Sequence, residues 1–434
     1  MSQPEISIKP RERDAIINSL RAGVVPRIGQ PLIQVGRVSE VKALIKDIDT
    51  ISDKGSTIRF IIGEYGSGKT FFLQLIRSIA LEKKLVTVHA DLNPDRRLFG
   101  AGGQARALYQ ELMKNLATRS KPEGGAMEAV VERFVTKAMD DAKEEGVAPG
   151  VVIKRQLKEL EEMVGGYDFA QVIHAFWEGH AEGKDDLKSA AVRWLRGEFS
   201  TKTEAREYLD VRTIVDDASV FDHLKLMSRF VMLAGYSGFL VVLDELVNLY
   251  KLTHGPSRTQ NYEQLLRIVN DCLQGTASGM GVILGGTPEF LLDTRRGLYS
   301  YEALRSRLSE NNFVSDGTQD FSQPVIRLAN LAPEDIYVLL GKLRNVFASG
   351  QQDKYLIDDP GLQAFLDHCN KKLGSAYFRT PRNITKSFLD LLAVLEQSPG
   401  KSWKDILTDV AIAPDKDISE PVTESDGELA DFTL

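Results

Sequence analysis

Residues 58–76 read IRFIIGEYGSGKTFFLQLI, and this stretch decides the fold. It opens with an apolar run that only Arg59 interrupts, which is typical of a strand buried on both faces of a parallel sheet. Residues 63–70 then match the pattern G-x-x-x-x-G-K-[ST] at every position. An apolar segment with helical spacing follows directly. A strand, a glycine-rich loop and a helix in this order predict a phosphate-binding loop, and we call residues 63–70 the phosphate loop.

The chemistry of this loop follows from its residue types. Glycines allow tight backbone turns that direct N–H groups at phosphate oxygens. We expect Lys69 to reach the β- and γ-phosphates of a nucleotide and the Thr70 hydroxyl to ligate Mg²⁺. A chance glycine-rich turn is the alternative, and the strand and helix that flank the loop argue against it. The predicted nucleotide-binding residues of the segment are Gly63, Glu64, Tyr65, Gly66, Ser67, Gly68, Lys69, Thr70 and Phe71.

A second apolar run, at residues 239–243, ends in the carboxylates Asp244 and Glu245. We expect Asp244 to hold Mg²⁺, directly or through water, and Glu245 to activate the attacking water as general base. An ordinary strand followed by a polar helix start is the alternative. Because a second acid beside a metal ligand suits water activation, the pair favours hydrolysis of a nucleoside triphosphate over phosphate transfer to a small acceptor.

The rest of the chain predicts an α/β fold. Apolar runs at residues 85–90, 281–284 and 325–328 predict further strands, and the helical patterns between them indicate a parallel P-loop NTPase sheet. Helical spacing also predicts a long insertion and a C-terminal lid. Four domains are predicted. Residues 1–50 form N-terminal helices and a short segment that contacts the nucleotide base, and residues 51–332 form an α/β ATPase domain with its helical insertion at about 103–232. A helical lid follows at 333–410 and an acidic disordered tail at 411–434.

Composition narrows the class of protein. The 434 residues carry 54 Lys and Arg against 61 Asp and Glu, a net charge of −7, which argues against a protein that coats nucleic acid through overall charge. With only two cysteines, a disulfide framework is excluded, and we expect a reducing, cytoplasmic compartment. No apolar run approaches the ~20 residues that a membrane-spanning helix needs.

The paired motifs resemble those of the AAA+ ATPases, especially the branch that includes archaeal origin-recognition proteins. Gly36 and Arg37 are similar to the box that lies against the nucleotide base in that family. The resemblance implies that Thr287, after a predicted strand, senses the γ-phosphate or the water. It also implies that Arg382, with Arg379 as second choice, is the lid sensor. The alternatives are a loop glycine with a surface arginine, a strand-end turn residue and an ordinary helix N-terminal side chain.

Arginines after this sensor strand are candidates for a site shared between subunits. In AAA+ rings this region supplies an arginine finger that offsets charge on the phosphate transferred from the neighbour's ATP. Arg305 and Arg307 are the catalytic candidates by position, and Arg295 and Arg296 are alternatives that face a partner. A solvated basic helix face is the other interpretation. A finger implies a homo-oligomer, because each active site is then completed by a neighbour.

A closer resemblance is to the ATP-binding proteins of BREX-type phage-defence loci, and within them to BrxD-like ATPases. The specific segments are GGTPEF at 285–290 and RGLYSY at 296–301. The resemblance spans about residues 5–405. It implies antiviral defence, a DNA helicase or other defence-system partner, a helicase-loader role, and contact with DNA directly or through the partner. A winged-helix domain does not fit after the lid, so direct DNA contact would come from the core, the insertion or the lid.

Two hypotheses for the function remain open. The first is a Mg²⁺-dependent ATPase that couples ATP hydrolysis to loading or remodelling of a DNA-processing partner. The second is a switch or scaffold that binds ATP, hydrolyses it negligibly and assembles a defence complex. A signalling ATPase is a weaker third, since the sequence contains no recognisable effector domain. Steady-state hydrolysis, measured with and without DNA and partner, separates the first two.

Overall fold

The computed structural model describes residues 8–311, 320–377 and 380–409, with side chains described except at 370–377 and 408–409. Within that part, five parallel strands form one sheet in the order β2-β3-β4-β1-β5. The strands are β1 (Thr57–Ile62), β2 (Val86–Asp91), β3 (Phe239–Asp244), β4 (Met280–Gly286) and β5 (Val325–Arg327). Each lies where an apolar run predicts it, so the expected α/β class with a parallel sheet is confirmed. The predicted disordered tail lies outside the described residues.

Helices precede, separate and follow these strands. Before β1 come α1 (Pro10–Arg21), α2 (Gln30–Ile33) and α3 (Val38–Ser52), and α4 (Lys69–Glu82) joins β1 to β2. Between β2 and β3 lie α5 (Gln104–Lys114), α6 (Met127–Glu145), α7 (Pro149–Glu161), α8 (Gly166–Glu182), α9 (Asp185–Leu195), α10 (Lys202–Leu209) and α11 (Val220–Leu233). The remaining helices are α12 (Val247–Tyr250), α13 (Gly255–Leu273), α14 (Pro288–Leu292), α15 (Glu302–Leu308), α16 (Pro333–Phe347), α17 (Asp359–Tyr377), α18 (Pro381–Gln397) and α19 (Trp403–Asp409).

The strand register brings three predicted functional segments, together with the end of β2, to one edge of the sheet. β1 pairs with β4 from Thr57 opposite Gly281 to Ile62 opposite Gly286. β2 pairs with β3 up to Asp91 opposite Asp244. In a parallel sheet the carboxyl ends of all strands share one edge, which is where open α/β sheets bind their ligands. The phosphate loop, the ends of β2 and β3, and the residues after β4 therefore meet there.

The helices between β2 and β3 belong to the same core as the sheet. Their buried side chains, including Phe169, Trp194 and Phe230, form one continuous cluster with sheet residues such as Val241. This arrangement favours an insertion in the α/β fold over a separate domain. Sequence spacing gave no separate indication of α8, which begins at the second of two consecutive glycines at 165–166, a pattern more typical of a turn.

The opposite face of the sheet is covered by α3 and α4. Leu44 and Ile48 of α3 and Phe72 and Ile76 of α4 pack in one buried cluster with Ile61 of β1. The helix that carries Lys69 and Thr70 is therefore packed directly against β1. Within the part of the chain that the structure describes, no helix has both the length and the apolar character that crossing a bilayer requires.

Side chains from the two ends of the chain share a third core. Helix α1 packs against α16 and α18, and Ile16 and Ile33 lie in one buried cluster with Leu340 and Phe388. This long-range contact was not predicted, because amphipathic spacing in a sequence identifies a buried face but not its partner. The domain boundaries stay a prediction.

One charged residue interrupts the apolar run of β1, and it forms a nearly buried ion pair. Arg59 donates from Nε and Nη2 to the two carboxylate oxygens of Asp47 on α3, at 2.6 and 2.8 Å. Its Nη1 donates to the carbonyl of Gln323, just before β5, at 2.5 Å. Each side chain of the pair is only 12% exposed. Arg59 therefore links β1 both to α3 and to the segment that directly precedes the edge strand β5.

We expect Arg59→Met to lower the free energy of unfolding by about 3–5 kcal/mol, because the Asp47 carboxylate is left buried without its cation. Replacing both residues, as Asp47→Leu with Arg59→Met, should restore most of that loss. Urea denaturation measures both effects. The matched control is Arg155→Met, since Arg155 pairs with Glu145 in an exposed bidentate contact. An equal loss in the control would contradict the assigned importance of burial.

Candidate functional site

The phosphate loop runs from the end of β1 to the first two residues of α4. Gly66 and Gly68 have φ angles of +75° and +87°, in the left-handed region that favours glycine. The N–H of Ser67 donates to the carbonyl of Glu64 across the turn, at 3.2 Å. The loop thus has the tight backbone that its glycine pattern predicts, and it lies at the N-terminus of a helix, where anions are favoured.

Lys69, the first residue of α4, folds back over the loop. Its Nζ donates to the carbonyls of Gly63 and Glu64, at 2.7 and 2.9 Å. Burial lowers the pKa of Lys69, and nearby carboxylates, led by Asp244 and Glu245, oppose that shift. The ammonium group is therefore held at the loop by neutral acceptors, which a phosphate oxygen can replace.

Thr70 and Asp244, which the sequence predicts as metal ligands, are in direct contact. The Thr70 hydroxyl donates to Asp244 Oδ2 at 2.8 Å, and Asp244 Oδ1 accepts from the N–H of Glu245 at 2.8 Å. β4 lies between β1 and β3, so Asp244 meets the start of α4 across an intervening strand. Gly285 leaves the necessary space, because a Cβ there would lie 2.3 Å from Asp244 Oδ1.

Glu245 follows Asp244 with a φ of +58°, an unusual conformation for a residue other than glycine. Partial burial raises the pKa of its carboxyl, and the charges of Asp244 and Asp91 raise it further. Such strain and a raised pKa are frequent at functional sites. Glu245 lines the same cavity as the phosphate loop.

Two acidic residues near the site were missed by sequence reasoning. Asp91 ends β2 directly opposite Asp244, and burial, followed by the Asp244 charge, raises its pKa. Glu289, on α14, is among the carboxylates whose charge acts on Lys69. No local pattern in the sequence marks either residue, and Asp91 lies opposite Asp244 only because β2 is next to β3 in the sheet.

A cavity of about 260 Å³ opens beside the phosphate loop. Its walls combine the loop with apolar residues from the N-terminal segment and from the C-terminal helices. The apolar lining residues include Val24, Val25, Ile33, Val35, Phe71, Leu331, Leu339 and Pro381. A polar loop at one end and an apolar recess beside it suit a ligand with a charged and a flat apolar part.

Of the predicted pair Gly36 and Arg37, Arg37 lines this cavity, and its guanidinium contacts the phosphate loop. Its Nη2 donates to the carbonyl of Ser67 at 2.5 Å and approaches that of Ala329 at 3.3 Å. The guanidinium carbon is 5.9 Å from the centre of the Phe72 ring. Burial lowers the pKa of Arg37.

Arg382, the first choice for the lid sensor, lies at the start of α18 and contacts the phosphate loop. Its Nη1 donates to the Tyr65 hydroxyl at 3.0 Å, and its guanidinium carbon lies 6.0 Å from the centre of that ring. A Cβ at Gly23 would lie 2.8 Å from Arg382 Nε, so the arginine also packs on the turn that follows α1. Arg379, the second choice, lies outside the described residues.

Thr287 follows β4 at the same edge of the sheet. Its hydroxyl accepts from the N–H of Phe290, at 3.5 Å, and caps the short helix α14. The neighbouring residue, Gly286, accepts from the N–H of Gly63 at 3.2 Å. Thr287 is therefore one residue away from a backbone contact with the first residue of the phosphate loop.

The finger candidates differ in their surroundings. Arg307 donates to Asn270 Oδ1 at 2.6 Å and to the carbonyl of Ala303 at 2.7 Å, so its side chain is engaged within the subunit. Arg296 likewise donates to the carbonyls at 250 and 252. Arg305 is 53% exposed, and its ion pair with Glu302 is loose, at 4.0 Å.

The donor set around Thr70 suits Mg²⁺. A hydroxyl and carboxylates are hard oxygen ligands, and Mg²⁺ is usually held by one or two carboxylates with substrate phosphates and water. Within the described residues, no group of three or more His, Cys, Asp or Glu side chains is arranged to hold a metal by itself. The residues present therefore fit an ion that arrives with a nucleotide.

One family model matches most of the chain. It is described as BREX system ATP-binding protein BrxC/D, and the match covers residues 8–411. No curated protein matches the chain. The resemblance to BREX ATP-binding proteins is thereby confirmed, and so is ATP as the family's ligand. Because one model covers BrxC and BrxD together, the narrower BrxD-like assignment stays a prediction.

We expect Glu245→Gln to raise the thermal midpoint of the nucleotide-free protein at pH 7.5 and to leave it nearly unchanged at pH 4. The folded state raises the pKa of Glu245 above its ordinary 4.5, so ionisation of this carboxyl weakens the fold. That penalty is fully present above the raised pKa and disappears below about 4.5, where the carboxyl is protonated in both states.

Differential scanning calorimetry at the two pH values measures this effect. The control is Glu302→Gln, which removes a carboxylate that is 85% exposed. A gain of the same size at both pH values, or the same gain in the control, would contradict the raised pKa.

Proposed function

The chain belongs to the BrxC/D family of ATP-binding proteins of the BREX phage-defence system, and we propose that it is a Mg²⁺-dependent P-loop ATPase of AAA+ type. Its hydrolysis cycle is coupled to loading or remodelling a DNA-processing partner, such as a helicase. The observation that carries the proposal is the hydrogen bond between Thr70 and Asp244 beside Lys69. This hydrogen bond brings the phosphate loop and the Asp244–Glu245 pair together at one edge of a parallel sheet.

In this proposal the phosphate loop binds the triphosphate. The N–H groups of the loop and of the start of α4 surround the β- and γ-phosphates, and Lys69 exchanges its two carbonyl partners for phosphate oxygens. Mg²⁺, held by Thr70 and Asp244 together with the phosphates, would neutralise charge on the β- and γ-oxygens. The apolar recess beside the loop takes the base.

Glu245 is the proposed general base. It lies one residue beyond Asp244, and a raised pKa makes its carboxylate a better proton acceptor than an ordinary glutamate. Thr287 and Arg382 are the proposed γ-phosphate sensors. Arg382 has to leave the Tyr65 hydroxyl to contact phosphate, and its present exposed contact is weak enough to allow that exchange.

The C-terminal helices are proposed to act as a lid, residues 333–410, over an ATPase domain at 51–332. Their contribution to the cavity wall and the contact of Arg382 with the phosphate loop support this role. The helices between β2 and β3 are then an insertion available to the defence-system partner or to DNA.

Arg305 is the proposed arginine finger. Its exposure and loose ion pair leave the guanidinium available to a neighbouring subunit, whereas Arg307 is engaged by Asn270. A finger in trans makes the active unit a homo-oligomer. Mass determination with and without a non-hydrolysable ATP analogue tests the assembly directly, and a strict monomer would remove this part of the proposal.

We expect Glu245→Gln to retain ATP binding and to lose turnover by about 10²–10⁴-fold, because the water is no longer deprotonated. Steady-state phosphate release and equilibrium binding of a labelled ATP analogue measure the two effects. Lys69→Ala is the comparison variant and should lose binding as well. Unchanged turnover in Glu245→Gln would refute the assigned base. Negligible turnover of the wild-type protein, even with DNA and partner, would favour the ATP-bound switch.

We expect Arg305→Ala to bind ATP normally and to lose turnover by about 10³-fold or more, since a finger acts on the transition state. Mixing Arg305→Ala subunits with Glu245→Gln subunits should restore part of the activity, because mixed interfaces contain one complete site. Arg295→Ala, which removes another exposed arginine, is the matched control. Full activity of Arg305→Ala, or no recovery on mixing, would contradict a finger at this position.

A further inference from the structure

Arg37 donates to a backbone carbonyl of the phosphate loop. We propose that it is a positioning residue that directs the Gly68 N–H toward the triphosphate. This role rests on the proposed binding of ATP at the phosphate loop. It differs from the expectation for the Gly36–Arg37 box, which places that pair against the nucleotide base.

The contact that carries this role joins Arg37 Nη2 to the carbonyl oxygen of Ser67, at 2.5 Å. A trans peptide unit is planar, so the Ser67 carbonyl and the Gly68 N–H point in opposite directions. A guanidinium that holds the carbonyl on one side of the loop therefore turns the N–H to the other side. Among the described residues nothing accepts from the Gly68 N–H, so this donor is available to a phosphate oxygen.

The backbone around Arg37 fixes its side chain in this position. Gly36 and Arg37 have φ angles of +60° and +57°, and the left-handed conformation is strained for the arginine. A Cβ at Gly36 would lie 2.9 Å from Asp335 Oδ2 of α16, so only glycine fits there without displacing that side chain. Glycine at position 36 therefore allows the close approach of α16, and Arg37 follows directly in this turn.

One nitrogen of the guanidinium is engaged by the protein backbone. Nη1 is shielded from solvent and makes no hydrogen bond within the part of the chain that the structure describes. Nη2 is occupied by the carbonyls of Ser67 and Ala329. A hydrogen bond from a charged donor is strong in such a shielded place. Arg37 thus acts on the nucleotide through the loop backbone.

Three ligands separate positioning from base contact: Mg-ATP, inorganic Mg-tripolyphosphate and adenosine. We expect Arg37→Ala to weaken the first two by a similar factor of about tenfold to a hundredfold, the loss of one charged hydrogen bond. Adenosine binding should be unchanged, because adenosine has no phosphate. Isothermal titration calorimetry measures the two phosphate ligands, and ligand-observed NMR measures adenosine.

Two further variants complete the test. Arg37→Lys keeps a charged donor and should recover part of the tripolyphosphate affinity. Lys342→Ala removes the contact that Lys342 makes with the carbonyl of Gln34 in the same segment, and it should leave tripolyphosphate binding unchanged. If Arg37→Ala does not fold, Arg37→Gln and Arg37→Lys carry the same three-ligand comparison.

The positioning role is overturned if adenosine binding weakens while tripolyphosphate binding does not, which would indicate base contact. It is also overturned if no affinity changes, or if Lys342→Ala has the same effect. Failure of the proposed function is recognised separately. In that case the wild-type protein does not bind Mg-ATP, or Lys69→Ala binds it as tightly as the wild type.

Discussion

The hydrogen bond between Thr70 and Asp244 is the contact on which the proposed site depends. It joins residues 174 positions apart and fastens the first turn of α4 to the end of β3. Helix α4 follows β1, and β1 is not a neighbour of β3, because β4 runs between them. The contact therefore requires a strand without a side chain at the crossing point, and Gly285 supplies it. A single missing Cβ thus allows two distant motifs to form one site.

The sequence predicted the parts of this site that local patterns encode. A strand, loop and helix in fixed order located Lys69 and Thr70, and an apolar run ending in two acids located Asp244 and Glu245. It could not identify Asp91, whose proximity to Asp244 depends on strand order. Nor could it separate Arg305 from Arg307, because exposure depends on which side of α15 packs against α13. The partner of α1 was unpredictable for the same reason, since it lies at the other end of the chain.

The electrostatics of the site are unusual for a place that is proposed to bind an anion. Lys69 faces Asp244, Glu245, Glu64 and Glu289, and Asp91 adds to the charge that acts on Glu245. The negative charge of these carboxylates therefore exceeds the positive charge of the single lysine. A triphosphate would meet strong repulsion here without additional positive charge. The donor set for Mg²⁺, the nearby Arg382 and the proposed finger from a second subunit each provide a way to supply it.

The shared core of α1, α16 and α18 has a consequence for the order in which the protein is made. Ribosomes synthesise the N-terminus first, at about 5–20 residues per second, so roughly 20–70 seconds separate the end of α1 from the start of α18. Ile16 and Ile33 lack the complete core of α16 and α18 during that time. The sheet and its insertion can fold while translation continues, whereas the cavity wall closes only after the last helices emerge. The wall of the proposed nucleotide pocket is therefore completed only after α18 has been synthesised.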